Sequence, residues 1–354
     1  MKHIPVILFG AGGVGSAVLR QIVDGRSPMR ARNHVHLDVV AVCDSQSWQL
    51  QPGGLSDDQL RDIVARKAQG QPVGEKRPST LQILNLLAES GLEQVIVVDV
   101  TAVSGLEPTL DRALELGYGV VLANKKAFAG PWATAQRYFH HPRIRHESTV
   151  GGGQPVIATL RYLLDTNDPI HEIQGQLSGT LGFICQQLDQ GVAFSTAVAA
   201  AKTRGYTEPD PREDLGGLDV MRKVMILGRM AGWPLETGDI TVESLYTPDL
   251  ADLSVPDFMA QVAVLDEVMS QRVAAAQANG QVLRYLAQVR EGKGVVGLTA
   301  VPAGSALANL KFISFRTGRY DDDPLMICGK GAGVEMTAAG VIGDMLDLVR
   351  EEFQ

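Results

Sequence analysis

The corner where IPVILF, residues 4–9, runs into Gly10-Ala11-Gly12-Gly13-Val14-Gly15 constrains the fold more than any other part of this sequence. The apolar run reads as a short buried strand, and SAVLRQIVDG after the glycines reads as a helix. A G-x-G-x-x-G turn is a weak signal alone, but between a strand and a helix it marks a dinucleotide-binding βαβ unit. Gly10 permits the tight turn, Gly12 lets backbone approach a pyrophosphate, and Gly15 lets the helix pack closely. Gly13 and Val14 complete the turn, and the helix N-terminus offers N–H groups to the phosphates. HLDVVAVCDS, residues 36–45, is the second strand, and RSPMRARN between helix and strand reads as a polar, solvent-facing loop. Asp44 at the end of that strand is the natural acceptor for ribose hydroxyls. An Asp there favours NAD, and SQSWQ behind it holds no Arg or Lys for a 2′-phosphate. A solvated strand-end carboxylate is the other reading of Asp44.

The alternation continues with VIVVDVT at 95–101, the helix PTLDRALELG, and GVVLANK as the next strand. Strand, helix, strand in this order predicts an α/β fold with a Rossmann-type doubly wound parallel sheet. Thr101 and Asn124-Lys125 fall at carboxyl ends of strands, where such sheets bind ligands. Lys125 has two readings: a lysine reaching both nicotinamide and a substrate oxygen, or a solvated strand-end lysine. Lys126 is read as the latter. Residues 46–80 are loop-rich in this reading, ahead of a helix near residues 80–87.

Near residue 147 the pattern changes. Three glycines precede Pro155, which opens a helix. A strand follows at 171–180, then two helices, the second with Ser195 as N-cap. Helices are expected at 217–232 and 256–278, and four strands from residue 282 onward. This predicts a second α+β domain for substrate binding and dimerisation over 151–333. The first domain covers 1–150 and is completed by the C-terminal helix 334–354.

The 354 residues carry a net charge of −8, with lysines and arginines dispersed, so no nucleic-acid groove is indicated. No apolar run approaches the roughly 20 residues that cross a bilayer. The N-terminus imitates a signal peptide, but its glycines fall where a strand turns into a helix. Cys43, Cys185 and Cys328 are odd in number and far apart, which fits a cytoplasmic protein without a disulfide framework. The seven histidines show no metal-ligand spacing.

Residues 205–232 form the second informative stretch. GYTEPDPREDLGG is an acidic, proline-stiffened loop with Glu208, Asp210, Glu213 and Asp214. The following helix sets Asp219 and Lys223 four residues apart on one face. That pair alone is more readily an ordinary surface ion pair.

In this order the motifs resemble homoserine dehydrogenase over nearly the whole sequence: the glycine turn, ANKKAFAG at 123–130, ESTVGGGQPVI at 147–157, QLSGTLGFI at 176–184, GYTEPDPREDLGGLDVMRK at 205–223 and GAGVEMTAAGVIGD at 331–344. The resemblance is to the short type without a C-terminal regulatory domain. It implies a reversible NAD(P)-dependent interconversion of L-homoserine and L-aspartate 4-semialdehyde, on the route to threonine and methionine. It also implies that Lys223 is the catalytic acid/base, that Asp219 orients it, and that Lys125 is shared by cofactor and substrate. Glu208 takes the role of binding the substrate ammonium, with Tyr206, Thr180 and Asp214 nearby. Gly333 matches a glycine on the nicotinamide side. Glu147, Val150, Gly152 and Gln154 match a backbone-carbonyl site for a monovalent cation such as sodium. Arg212 and Glu213 are left to the solvated background. A homodimer is expected by fold analogy. The alternatives are an oxidoreductase for another amino-acid semialdehyde, and a catalytically silent nucleotide-binding sensor.

The implied chemistry suits these residue types. Reducing an aldehyde takes a hydride and a proton for the developing alkoxide. Burial or a second cation eases proton loss from a lysine, and a neighbouring carboxylate opposes it. Asp219 is therefore expected to orient. The zwitterionic substrate explains the carboxylate-rich loop, and N–H groups of Ser178-Gly179-Thr180 supply donors for its carboxylate.

Overall fold

The apolar runs of the first third of the chain pair into one sheet. A computed structural model describes residues 1–353. The elements in chain order are β1 (Lys2–Phe9), α1 (Gly13–Asn33), β2 (Val35–Cys43), β3 (Ser47–Leu50), α2 (Asp57–Ala68), β4 (Glu75–Lys76), α3 (Thr80–Glu89), β5 (Ile96–Asp99), α4 (Glu107–Glu115), β6 (Gly119–Leu122), α5 (Lys126–Ala129), α6 (Trp132–Phe139) and β7 (Ile144–Arg145). They form a seven-stranded sheet ordered β4-β3-β2-β1-β5-β6-β7. Strands β2, β1, β5, β6 and β7 run parallel, while β3 and β4 add antiparallel to the β2 edge. The parallel strands are buried on both faces, so they read as continuous Val, Ile and Leu rather than alternating.

Two local expectations change in this unit. Residues 26–33 are the second half of α1 and not a loop. Pro28 forfeits one helical hydrogen bond, but Met29 beside it is buried. Arg26 in the same turn donates to Asp57 at 2.5 Å and to the Leu37 carbonyl at 3.0 Å. The loop-rich 46–80 segment folds into β3, α2 and β4. Its two helix starts were written in the sequence as capping boxes: Ser56 with Gln59 and Ser79 with Gln82 exchange side-chain and backbone bonds.

The second unit contains the rest of α7 (Val156–Asp165), then β8 (Ile170–Gly175), α8 (Gly179–Asp189), α9 (Phe194–Thr203), α10 (Arg212–Leu215), α11 (Leu218–Met230), β9 (Ile240–Val242), α12 (Val255–Gln261), α13 (Asp266–Ala278), β10 (Gln281–Arg290), β11 (Lys293–Pro302), α14 (Ala306–Asn309), β12 (Phe312–Thr317) and β13 (Leu325–Cys328). Its six-stranded mixed sheet is ordered β13-β12-β8-β10-β11-β9. The β10–β11 hairpin closes through Glu291 and Gly292, both at positive φ, which matches the right-handed twist of its strands. Leu286, Val301, Ala308 and Phe312 pack into one buried cluster of this unit. Ser195 lies inside α9 and does not cap it. The capping acceptor is Asp266, which takes the Ser195 N–H and hydroxyl, both at 2.7 Å.

Helix α15 (Val334–Glu351) returns to the first unit, which comprises residues 1–158 and the segment from Gly331. The glycine loop after residue 150 is wedged under the returning chain. A Cβ on Gly152 would lie 1.9 Å from the Gly331 carbonyl oxygen, and one on Gly340 2.2 Å from the Gly152 oxygen. Among the described residues no helix is long and apolar enough to cross a membrane.

Candidate active site

The glycine turn of the first unit shows a division of labour. Gly10 has φ of +104° and donates its N–H to the Cys43 carbonyl at 2.8 Å, tying the turn to the end of β2. A Cβ on Gly15 would sit 1.8 Å from the Gly10 oxygen, so no side chain fits there. A Cβ on Gly12 meets open space. Gly13 faces Val334 of α15, and the first turn of α1 carries no acidic residue to compete with a phosphate.

Thr101 and Asn124 meet through a residue that the sequence reading passed over. Asp99 ends β5 and is buried. It accepts the Thr101 N–H at 2.8 Å and the Asn124 side-chain N–H at 2.9 Å. Burial raises its pKa and these hydrogen bonds work against that rise. The signal was a lone charge inside VIVVDV. Lys125 stands at the N-cap position of α5, directly after Asn124.

Asp44 is not an idle acceptor. One oxygen takes the N–H groups of Gln46 and Ser47 at 2.8 and 2.6 Å, and the other takes Lys67 Nζ at 2.7 Å. Burial raises its pKa, but Lys67 and the backbone donors outweigh this and hold it at about 2.

The carbonyl-rich loop, also in the first unit, is rigidly held. The Glu147 carboxylate caps α7, accepting the Ile157 and Ala158 N–H groups at 2.6 and 2.8 Å. The Glu147 N–H in turn donates to Asp344 at 2.8 Å. Ser148 Oγ donates to the Gly152 carbonyl at 2.9 Å, and the Gln154 carbonyl accepts the Val156 N–H at 2.8 Å. The Glu147 carbonyl accepts the Val150 and Gly151 N–H groups, both at 3.4 Å. Gly333, at φ +120°, is exposed at the start of α15.

A metal-type cluster appears where spacing suggested none. The β1–β2 register places His3 opposite His36, and Asp38 touches both, at 2.9 and 3.3 Å. It is the one such group of three among the described residues. Arg26 lies 2.5 Å from His36 Nε2 and has only protons to offer, so that nitrogen accepts. The ring proton then sits on Nδ1, facing Asp38, and closes that position to a metal.

In the second unit the residues expected to meet the substrate lie in two bonded groups, one around Lys223 and one around Asp214. Lys223 Nζ is 2.7 Å from Asp219 and donates to the Leu177 carbonyl at 2.7 Å. The lysine side chain is 17% exposed and the aspartate 47%, so the pair is rooted in the protein and open on its acidic side. Asp214 accepts the Glu208 N–H at 2.8 Å. Burial raises the Asp214 pKa, and the nearby Asp219 and Glu213 charges add to the rise, while Glu208 N–H and the Thr180 hydroxyl oppose it. The Tyr206 carbonyl competes with Asp214 for the single Thr180 hydroxyl proton. Tyr206 is half exposed, with its ring edge-on to Phe183. Ser178 caps α8 by accepting the Leu181 N–H, so the expected Ser178-Gly179-Thr180 donors are the N-terminus of an eleven-residue helix.

Arg212 departs from its expected solvated role. Its guanidinium is paired with Asp210 at 2.7 Å and donates to the carbonyls of Leu250, Ala251 and Leu253. It also stacks over Phe258. It anchors the acidic loop from below.

Comparison with known proteins gives a consistent result. The family profile "Homoserine dehydrogenase" matches residues 155–346, and the profile "Homoserine dehydrogenase, NAD binding domain" matches residues 10–141. Homoserine dehydrogenase of Paracoccidioides brasiliensis is 36% identical over 375 residues, covering 98% of each chain. The bifunctional aspartokinase/homoserine dehydrogenase of Haemophilus influenzae is 35% identical over 98% of this chain. This chain spans only 43% of that relative's length. Among solved structures, a Candida auris protein of unknown function superposes with a TM-score of 0.88 at 31% identity, with 99% of both chains covered. The first unit therefore carries an NAD-binding domain on a Rossmann-type sheet, and the chain belongs to the homoserine dehydrogenase family.

Proposed function

We propose that this protein catalyses the reversible NAD(P)-dependent interconversion of L-homoserine and L-aspartate 4-semialdehyde. The observation that carries the reading is Lys223, largely buried and aimed by two acceptors, Asp219 and the Leu177 carbonyl. When bound, the nicotinamide supplies or accepts the hydride. In the oxidative direction neutral Lys223 takes the substrate hydroxyl proton, and in the reductive direction its ammonium returns a proton to the alkoxide oxygen. Asp219 orients Nζ by the i,i+4 geometry of α11.

Glu208 pairs with the substrate ammonium, and its N–H bond to Asp214 supports that placement. Thr180 and Tyr206 shape the same loop. The N-terminus of α8 offers N–H groups to the substrate carboxylate. Lys125 takes the family role of touching both cofactor and substrate. Gly10, Gly12, Gly13, Val14, Gly15, Thr101 and Gly333 line the cofactor. The carbonyls of Glu147, Val150, Gly152 and Gln154 hold a sodium ion that braces the loop. A homodimer is proposed through the strands from residue 282 to 328, where Val295 of β11 is 57% exposed. Three free cysteines suit a reducing, cytoplasmic setting.

The test is oxidation of NADH and NADPH by the purified protein with L-aspartate 4-semialdehyde. Turnover with at least one cofactor is expected, and none with either would overturn the reading. Lys223→Ala should cut turnover by about 10²–10⁴-fold while cofactor binding persists. Turnover that persists in that variant removes Lys223 from its role.

A further inference from the structure

The strand order of the first sheet reverses between β1 and β5, and a dinucleotide lies across the crevice at such a point. With the adenosine half on the β2 side, the nicotinamide half falls on the loops that follow β5 and β6. We propose that Asp99, the last residue of β5, is a positioning residue for the nicotinamide. Its buried carboxylate locks these two loops to each other and so sets where Thr101 and Lys125 stand. This rests on the reading that places Thr101 and Lys125 at the cofactor, and deepens it.

Three observations support it. First, Asp99 reaches both loops with three oxygens. Its Oδ1 accepts the Thr101 N–H at 2.8 Å and its Oδ2 the Asn124 side-chain N–H at 2.9 Å. Its backbone carbonyl accepts the Ala123 N–H at 2.9 Å and the Asn124 N–H at 3.3 Å. Second, Asn124 completes the lock. Its Nδ2 also donates to the Val103 carbonyl at 2.8 Å, and its Oδ1 accepts the Lys126 N–H at 3.0 Å. Lys125 is therefore held between two residues whose positions trace back to Asp99. The loop after β5 sits in turn on the glycine turn, where a Cβ on Gly10 would lie 3.2 Å from the Thr101 nitrogen. Third, the lock needs a carboxylate. Asp99 and Asn124 are 2% and 6% exposed, so water does not replace a lost bond. Both side-chain oxygens of Asp99 face donors, and an ionised carboxylate only accepts. An asparagine there sets its NH2 against either the Thr101 N–H or the Asn124 NH2, whichever way its amide turns. Holding a charge in that place costs free energy, and the donors that offset it all belong to the two loops.

The test compares each dinucleotide with the same molecule lacking nicotinamide, by calorimetric titration of the purified protein. The pairs are NADH with ADP-ribose, and NADPH with 2′-phospho-ADP-ribose. In the better-bound pair, the wild type should prefer the dinucleotide. In Asp99→Asn that preference should fall by roughly tenfold, the scale of one mismatched buried hydrogen bond, while affinity for the fragment stays within about twofold. If the facing donors keep Asp99→Asn from folding, Asn124→Ala breaks the same lock without them and should lower the preference to a similar degree. The double variant should cost no more than either single one, because both break one shared contact. No preference in the wild type, or a preference unchanged in both single variants, overturns the proposal. Equal weakening of fragment and dinucleotide would do the same, since Asp99 would then serve the fold alone. A wild type that binds neither would overturn the cofactor reading and the proposal with it, so the two failures are told apart. None of these readouts depends on homoserine turnover.

Discussion

The nucleotide corner and the substrate network are built from different materials. At the corner of β1 and α1 the work is done by missing side chains: Gly15 has no room for a Cβ and Gly12 has nothing against it. In the second unit it is done by charged side chains: Lys223 pairs with Asp219, the Asp219 charge repels Asp214, and Asp214 holds the Glu208 N–H. Sterics tolerate no partial answer, because a contact of 1.8 Å has to be relieved by moving backbone. Charge networks degrade by steps and respond to pH. The first kind of site ties function to stability, and the second separates them.

That contrast can be broken in several places. Gly15→Ala should have the largest effect on stability, about 3 kcal/mol or more, with nucleotide binding lost alongside. Thermal denaturation and a cofactor titration measure both, and a variant that still binds nucleotide would contradict the steric account. Asp219→Asn should do the reverse. It keeps an acceptor near Lys223 but removes the charge, so turnover should fall by roughly tenfold or more. Its stability should move by only about 0.5 kcal/mol, the scale of an i,i+4 pair. A larger loss of stability than of transition-state binding would make the pair structural.

The Asp44–Lys67 contact belongs to both kinds. The folded-state pKa of Asp44 is depressed, so its stabilisation is fully present above the unfolded value near 3.9 and is lost as pH falls toward about 2. With allowance for solvent screening the contribution is roughly 1–2 kcal/mol. Acid unfolding of Lys67→Met should show that window flattened, and an unchanged profile would place the stabilisation in the backbone donors. The smallest effect is expected for Gly12→Ala. Its φ of −73° suits any residue and its Cβ meets no atom, so stability should change by less than about 0.5 kcal/mol. Nucleotide affinity should nonetheless drop, since that open space is where the pyrophosphate approaches.

Legibility in the sequence followed the same divide. Strands buried on both faces and the strand–glycine–helix corner were readable, since each is a local pattern with one physical solution. The i,i+4 relation of Asp219 and Lys223 was readable for the same reason. What escaped was tertiary. Helix α1 runs past Pro28 because Arg26 is held by Asp57 and the Leu37 carbonyl, partners outside the helix itself. Arg212 looked solvated because its three carbonyl partners lie some forty residues downstream. Asp266 caps a helix 71 residues away. The 46–80 segment looked irregular because its polar composition masks the capped helix α2 and two short antiparallel edge strands.

The return of α15 also carries a consequence in time. Its Leu348 is buried in the core shared with β1 and β5, its Asp344 holds the Glu147 N–H, and its Val334 lies against Gly13. A ribosome delivers all of the second unit before it delivers this helix. The first unit is therefore begun first and finished last. Until the helix emerges, the newborn sheet has an apolar groove waiting for it, and a chaperone has its best opportunity to bind there.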